Sequence, residues 1–149
     1  MRKINKIIIH CSATKEGQKV TVADITSWHK ARGFKTIGYH YVIDLDGNVH
    51  KGRDESVIGA HVTGQNSNSI GICYIGGLGM SGKAKDTRTP LQKEALKKLV
   101  SDVCSRYDIK EIKGHRDYSP DKNGNGIIEP SEWLKECPCF DVQTEFKLH

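Results

Sequence analysis

The sequence predicts an α/β fold, a single domain in which a mixed central β-sheet is flanked by helices. Three observations carry that reading. Short, largely β-branched apolar runs at 4–10, 69–75 and 109–113 have the length and composition of buried strands. Two stretches between them repeat their apolar residues at helical spacing. A further pair of strand-like runs flanks Asp46-Gly47, a dipeptide suited to a tight hairpin turn. Strands alternating with helices, one hairpin among them, imply a mixed sheet covered by helices.

In chain order, Ile4 to His10 reads as a short buried strand that gives way to polar Ser12. Thr21 or Thr14 could open the next segment, where Val22, Ile25, Trp28 and His29 recur at helical spacing and Gly33 closes the run. Tyr39 to Leu45 and Val49 to Lys51 form the hairpin. Ser69 to Ile75 is another apolar strand, stopped by Gly76-Gly77, with a loop rich in Gly, Ser and Lys to about Thr89. Pro90 stands where a proline costs a helix little, in its first turn. Leu91, Ala95, Leu96, Leu99, Val100 and Val103 then give that helix an apolar face. Ile109 to Lys113 is a short strand ending at Gly114-His115. Pro130 to Glu136 reads as a short helix, followed by an apolar element from Phe140 to Phe146.

The chain has 149 residues, most simply one domain over 1–149, and neither a repeat nor a low-complexity tract. Apolar residues make up 36% and charged residues 28%, as in an ordinary soluble globular protein. Lys and Arg exceed Asp and Glu by 23 to 18, which favours approach to an anionic polymer without saying which. No arginine-rich run and no interleaving of aromatic and basic residues points to nucleic acid, so no nucleic-acid partner is expected. No stretch approaches the ~18 apolar residues of a membrane span, so no integral membrane association is expected either. The basic start Met1 to Lys6 leads only into Ile7 to Ile9, too short for a signal-peptide core, so synthesis in the cytoplasm is expected. The five cysteines are an odd number and exclude a complete internal disulfide framework. Cys73, in an apolar run, and Cys104, on a helix face, read as buried structural thiols. Nothing in the pattern asks for an oligomer, and a monomer is the simplest expectation.

Spacing alone does not choose metal ligands from seven histidines and five cysteines. The surrounding motifs do. The run Ile37-Gly38-Tyr39-His40-Tyr41-Val42-Ile43, with Asp46-Gly47-Asn48-Val49 and Gly52-Arg53-Asp54 after it, resembles the zinc amidases that cut peptidoglycan. That family includes the small phage lysozyme-amidases and the peptidoglycan recognition proteins. Gly59-Ala60-His61-Val62-Thr63-Gly64-Gln65-Asn66, leading to Ser69-Ile70-Gly71-Ile72, looks like the same family, and the resemblance runs from about Lys6 to Phe140. It implies a recognition-protein-like amidase fold with His10, His115 and Cys137 as ligands to Zn2+. Two imidazoles and one thiolate leave a fourth position open for water, the mark of a catalytic rather than a structural zinc. His10 and His115 also stand where apolar strands give way to loops, a favoured place for active sites in α/β folds. Cys139, where the family usually carries a small residue, is the departure; the Cys-Pro step selects Cys137.

The resemblance further gives Tyr39 and Lys135 catalytic roles, Tyr39 as hydrogen-bond donor at the reacting water or oxyanion and Lys135 as a positive charge beside the oxyanion. His40 follows Tyr39 on the same strand and should face the other way as a packed histidine. His61 and Asn66 fall in the stretch the family uses beside its substrate groove. Trp28 offers a face on which a sugar could stack, with core packing the commoner alternative.

A second metal signal lies outside that resemblance. The run from Asp121 to Glu132 fits the calcium loop of an EF-hand, with oxygen ligands at loop positions 1, 3, 5, 9 and 12 and glycine at 6. These are Asp121, Asn123, Asn125, Glu129 and Glu132, with the backbone carbonyl of Ile127 at position 7. The residues before it, His115 to Pro120, make a poor entering helix, and an Asn-Gly turn that needs no ion is the plainer alternative. The family resemblance implies an N-acetylmuramoyl-L-alanine amidase with peptidoglycan as substrate, either a phage-type lysin that reaches the wall after release or a delivered effector. The rival expectation is a protein of the same fold that binds muropeptide without cutting it.

Overall fold

A computed structural model describes residues 2–119, 124, 128 and 136–147. Its centre is the strand β1, Lys6–Cys11, whose Ile7, Ile8 and Ile9 have no exposed surface. Burying each such side chain contributes roughly 1.5–3 kcal/mol, so this run fixes the middle of the sheet. β1 pairs in parallel with β5, Ser69–Tyr74, on one side and with β7, Glu111–Gly114, on the other. β3, Tyr41–Ile43, adds in parallel to β5, and β4, Val49–Lys51, closes the hairpin antiparallel to β3. The order β4-β3-β5-β1-β7 is the mixed sheet the sequence implies.

Alternation along the strands sorts side chains onto two faces. Ile7, Ile9 and Cys11 of β1 and Ile70, Ile72 and Tyr74 of β5 pack with Leu96, Leu99, Val100 and Val103 of α2, Pro90–Arg106. Thr89 caps that helix, and its buried Gln92 donates from Nε2 to the carbonyl of Ile75 at 2.9 Å, tying helix to sheet. The opposite face carries Ile25 of α1, Val22–Ala31, in a smaller cluster with Ile37, Val42 and Cys73. Thr21, not Thr14, opens α1 through a reciprocal capping box with Asp24. His10 falls on this second face, opposite Cys11.

The structure departs from the sequence reading in three places. Thr14–Lys15 (β2) and Gly77–Leu78 (β6) form a separate two-stranded sheet where only a loop is read from the sequence. Two-residue strands carry no periodicity that could announce them. Trp28 is 44% exposed and lies outside both cores, because Ile25 and His29, four apart, take the buried side of α1. Cys104 is only partly buried, at the edge of the α2 face. After β7 the chain makes a single 3-10 turn, His115–Tyr118, and Cys137 precedes α3, Val142–Glu145. Lys135 and the candidate calcium ligands Asp121, Asn123, Asn125, Ile127, Glu129 and Glu132 lie outside the described residues, as does most of the helix read over Pro130 to Glu136.

Candidate active site

The register of β1 with β7 explains how two histidines distant in sequence meet. Ile9 stands beside Gly114, so the next residues along these parallel strands, His10 and His115, arrive side by side. Their ring centroids are 4.8 Å apart, the spacing of neighbouring strands. Both stand at the carboxyl edge of parallel strands, where the sheet holds a side chain while the following loop opens.

Cys137 comes from the far end of the chain. Its carbonyl accepts from the backbone N–H of Arg116 at 2.8 Å, and its Sγ accepts from the backbone N–H of Cys11 at 3.1 Å. The next residue is fastened to β5 by the Tyr74 hydroxyl, which donates to the Pro138 carbonyl at 2.6 Å. One donor atom from each of His10, His115 and Cys137 lies within 4.8 Å of the others. A tetrahedral zinc shell sets nitrogen and sulfur donors roughly 3.3–3.6 Å apart, so the three are already gathered on the scale an ion needs. The donor set also suits zinc chemically, two borderline nitrogens with one soft sulfur. Cys139 turns elsewhere: its thiol faces Cys11 Sγ at 4.0 Å and the Gly77 carbonyl at 3.3 Å.

The cluster opens on a cleft of about 750 Å³ whose lining includes Trp28, Phe34, Tyr39, Val62, His115 and Cys137. Tyr39 lies between two imidazoles, its ring 5.0 Å from that of His10 and 5.3 Å from that of His29. Burial pushes its phenol well above the ordinary tyrosine value, so it stays protonated and is a donor at neutral pH. His29 is itself anchored, its Nδ1 accepting from the Gly38 backbone at 2.8 Å. Sequence reasoning missed this backing of Tyr39, although the spacing of Ile25 and His29 already placed the histidine on a buried helix face.

His40 is fully buried, with Nδ1 accepting from the Gly71 N–H at 3.0 Å and Nε2 within 2.8 Å of the Val57 carbonyl. It is the packed histidine expected. His61 and Asn66 both line the cleft, yet both ring nitrogens of His61 and the side-chain oxygen of Asn66 are engaged within the protein. His61 Nδ1 is 2.9 Å from His10 Nε2, and its Nε2 is 3.2 Å from Ser69 Oγ. Burial first, then the neighbouring imidazoles of His40 and His115, hold its pKa down to about 3, so the ring is neutral. Asn66 Oδ1 accepts from the backbone N–H groups of His61 and Val62, both at 2.9 Å. Trp28 stands at the cleft with its exposed face available for stacking.

Fold and cleft together define a class: an α/β domain with an open His-His-Cys cluster suited to a metal ion at the carboxyl edge of its sheet. The comparison with known proteins gives that class a narrower identity. The sequence profile of the N-acetylmuramoyl-L-alanine amidases matches residues 1–127, and this chain belongs to that family, as an amidase directed at peptidoglycan. The endolysin of Enterobacteria phage T3 is 39% identical over 137 residues, covering 92% of this chain and 82% of the endolysin. Peptidoglycan-recognition protein SC2 of Drosophila melanogaster is 39% identical over 139 residues, 93% of this chain and 66% of that protein. Among solved structures, the N-acetylmuramoyl-L-alanine amidase LysC from Clostridium intestinale superposes with a TM-score of 0.72 at 27% identity, covering 97% of this chain and 82% of LysC.

Proposed function

We propose that this chain is a single-domain, zinc-dependent amidase that hydrolyses the bond between the lactyl group of N-acetylmuramic acid and the first L-alanine of the peptidoglycan stem. The gathering of His10, His115 and Cys137, the last two lining an open cleft, carries this reading. Zinc held there would supply a Lewis acid that activates water near neutral pH and polarises the amide carbonyl.

The remaining work falls to the protein. Tyr39, a protonated phenol fixed between His10 and His29, donates a hydrogen bond to the carbonyl oxygen as that atom gains charge. Lys135, assigned from sequence alone, brings an ammonium to the same oxygen. Trp28 and Phe34, on the cleft wall, offer apolar surface to a glycan ring or stem peptide. The backbone N–H of Cys11 donates to Cys137 Sγ and so holds that sulfur in place beside the two imidazoles.

The resemblance to recognition proteins keeps a second reading in play, binding without cleavage, and one experiment separates the two. Purified peptidoglycan is incubated with the protein as prepared, after chelation, and after zinc is restored, and the products are weighed by mass spectrometry. Stem peptides beginning in free L-alanine, lost on chelation and recovered with zinc, are expected. Sedimentation of the protein with intact peptidoglycan, no peptide being released under any condition, would establish the binding reading instead.

A further inference from the structure

The stretch Gly59 to Gly71 borders the cleft, and within it the side chains of Asn66 and Ser69 converge on one residue, His61. His61 presents Nδ1 to His10 Nε2 at 2.9 Å and Nε2 to Ser69 Oγ at 3.2 Å. The two rings stand edge to face, centroids 4.9 Å apart. Two glycines make the slot that receives the ring. A Cβ on Gly71 would lie 2.8 Å from His61 Cγ and Cδ2, and one on Gly59 would lie 2.7 Å from Cδ2. Both distances are shorter than side chains tolerate. Asn66 Oδ1 meanwhile takes the backbone N–H of His61 itself, setting where the side chain leaves the loop. Ser69 and Gly71 are alternate residues of β5 and share the face on which His10 lies.

We propose that His61 is a positioning residue for His10, and that Gly59, Asn66, Ser69 and Gly71 exist to hold it. The inference rests on the reading of His10 as a zinc ligand. A neutral imidazole has one donor and one acceptor nitrogen, so the hydrogen bonds determine one another. A metal-bound histidine donates its second ring N–H to a neighbour, and here that donor is His10 Nε2 and the acceptor His61 Nδ1. His61 then carries its proton on Nε2 and donates it to Ser69 Oγ. His10 is thereby fixed as the tautomer whose Nδ1 lone pair belongs to the ion, with its ring plane set by a neighbour that cannot move aside. In this arrangement His61 acts through His10, both of its ring nitrogens being engaged within the protein.

The test measures zinc affinity by competition with a chromophoric chelator in wild type, His10→Ala, His61→Leu, His61→Asn and Ser69→Ala. The thermal midpoint of each metal-free form serves as the folding control. Loss of an outer partner of a zinc histidine weakens binding about 10–100-fold, and His61→Leu is expected to fall in that range with the Michaelis constant unchanged. His61→Asn keeps an oxygen acceptor near the place of Nδ1 and should recover most of the lost affinity. Ser69→Ala, which removes one hydroxyl, should shift affinity in the same direction by less. Imidazole 15N–1H spectra add a readout independent of turnover: a His10 Nε2–H signal in the zinc-loaded wild type, absent in His61→Leu. Where His61→Leu does not fold, His61→Asn and Ser69→Ala carry the test through the same signal. Unchanged zinc affinity in the His61 variants together with a raised Michaelis constant would overturn the proposal and make His61 a substrate contact. Wild type without zinc, or His10→Ala with undiminished zinc, would instead overturn the reading on which it rests.

Discussion

A phenol between two imidazoles is the side-chain arrangement on which turnover should depend most sharply. Tyr39 touches His10 on one side and His29 on the other, and burial keeps it protonated. Tyr39→Phe removes one oxygen that is no part of the His-His-Cys cluster. Zinc content should stay stoichiometric while the turnover number falls by roughly 10²–10³, the usual cost of losing one oxyanion donor. Wild-type turnover in the metal-loaded variant would remove Tyr39 from the chemistry. At this scale the sequence was informative where a residue sits in a motif and silent where its role depends on what it packs against. His10, His115 and Cys137 were legible through their motifs, and the fold gathers them. His61 also stood in a motif, but its orientation follows from glycines on two other segments, which no local pattern reveals. Helical spacing left Trp28 between sugar stacking and core packing, and the helix turns its buried side toward Ile25 and His29 instead.

Elements long enough to carry a period were legible, and those held by long-range pairing were not. β1, β5 and α2 follow from their apolar patterns, whereas the β2–β6 sheet depends on partners more than sixty residues apart. One loop-to-helix connection gives an element-scale prediction. Glu55, in the loop after the β3–β4 hairpin, accepts from Arg106 and Tyr107 at the end of α2 and from Tyr41 of β3. The Arg106 hydrogen bond foremost, with those of the two tyrosines, holds its pKa at about 2 against an ordinary 4.5. A carboxylate with a depressed folded-state pKa stabilises fully above its unfolded value, and that contribution is lost as pH falls toward the folded one. The gap in thermal midpoint between wild type and Glu55→Gln should therefore be widest above about pH 5 and close progressively toward pH 2. A gap independent of pH would mean that the carboxylate acts by shape and not by charge.

Across the whole molecule, distant parts of the chain meet in one cluster: β1 brings His10, and Cys137 joins it from beyond the run Asp121 to Glu132. That run has the oxygen spacing of a calcium loop, and a cation there would brace the approach to Cys137. Calcium at millimolar concentration should raise the thermal midpoint by mass action, with zinc content constant, and Glu132→Gln should abolish the rise. A melting curve indifferent to calcium and to its removal would make the run an ordinary turn. The zinc centre itself is tested most directly by X-ray absorption at the zinc edge of the loaded protein, in wild type and in Cys139→Ala. His10, His115 and Cys137 predict a shell of one sulfur at about 2.3 Å and three nitrogen or oxygen atoms at about 2.0–2.1 Å, identical in both proteins. Two sulfur neighbours in the wild type, falling to one in Cys139→Ala, would contradict it.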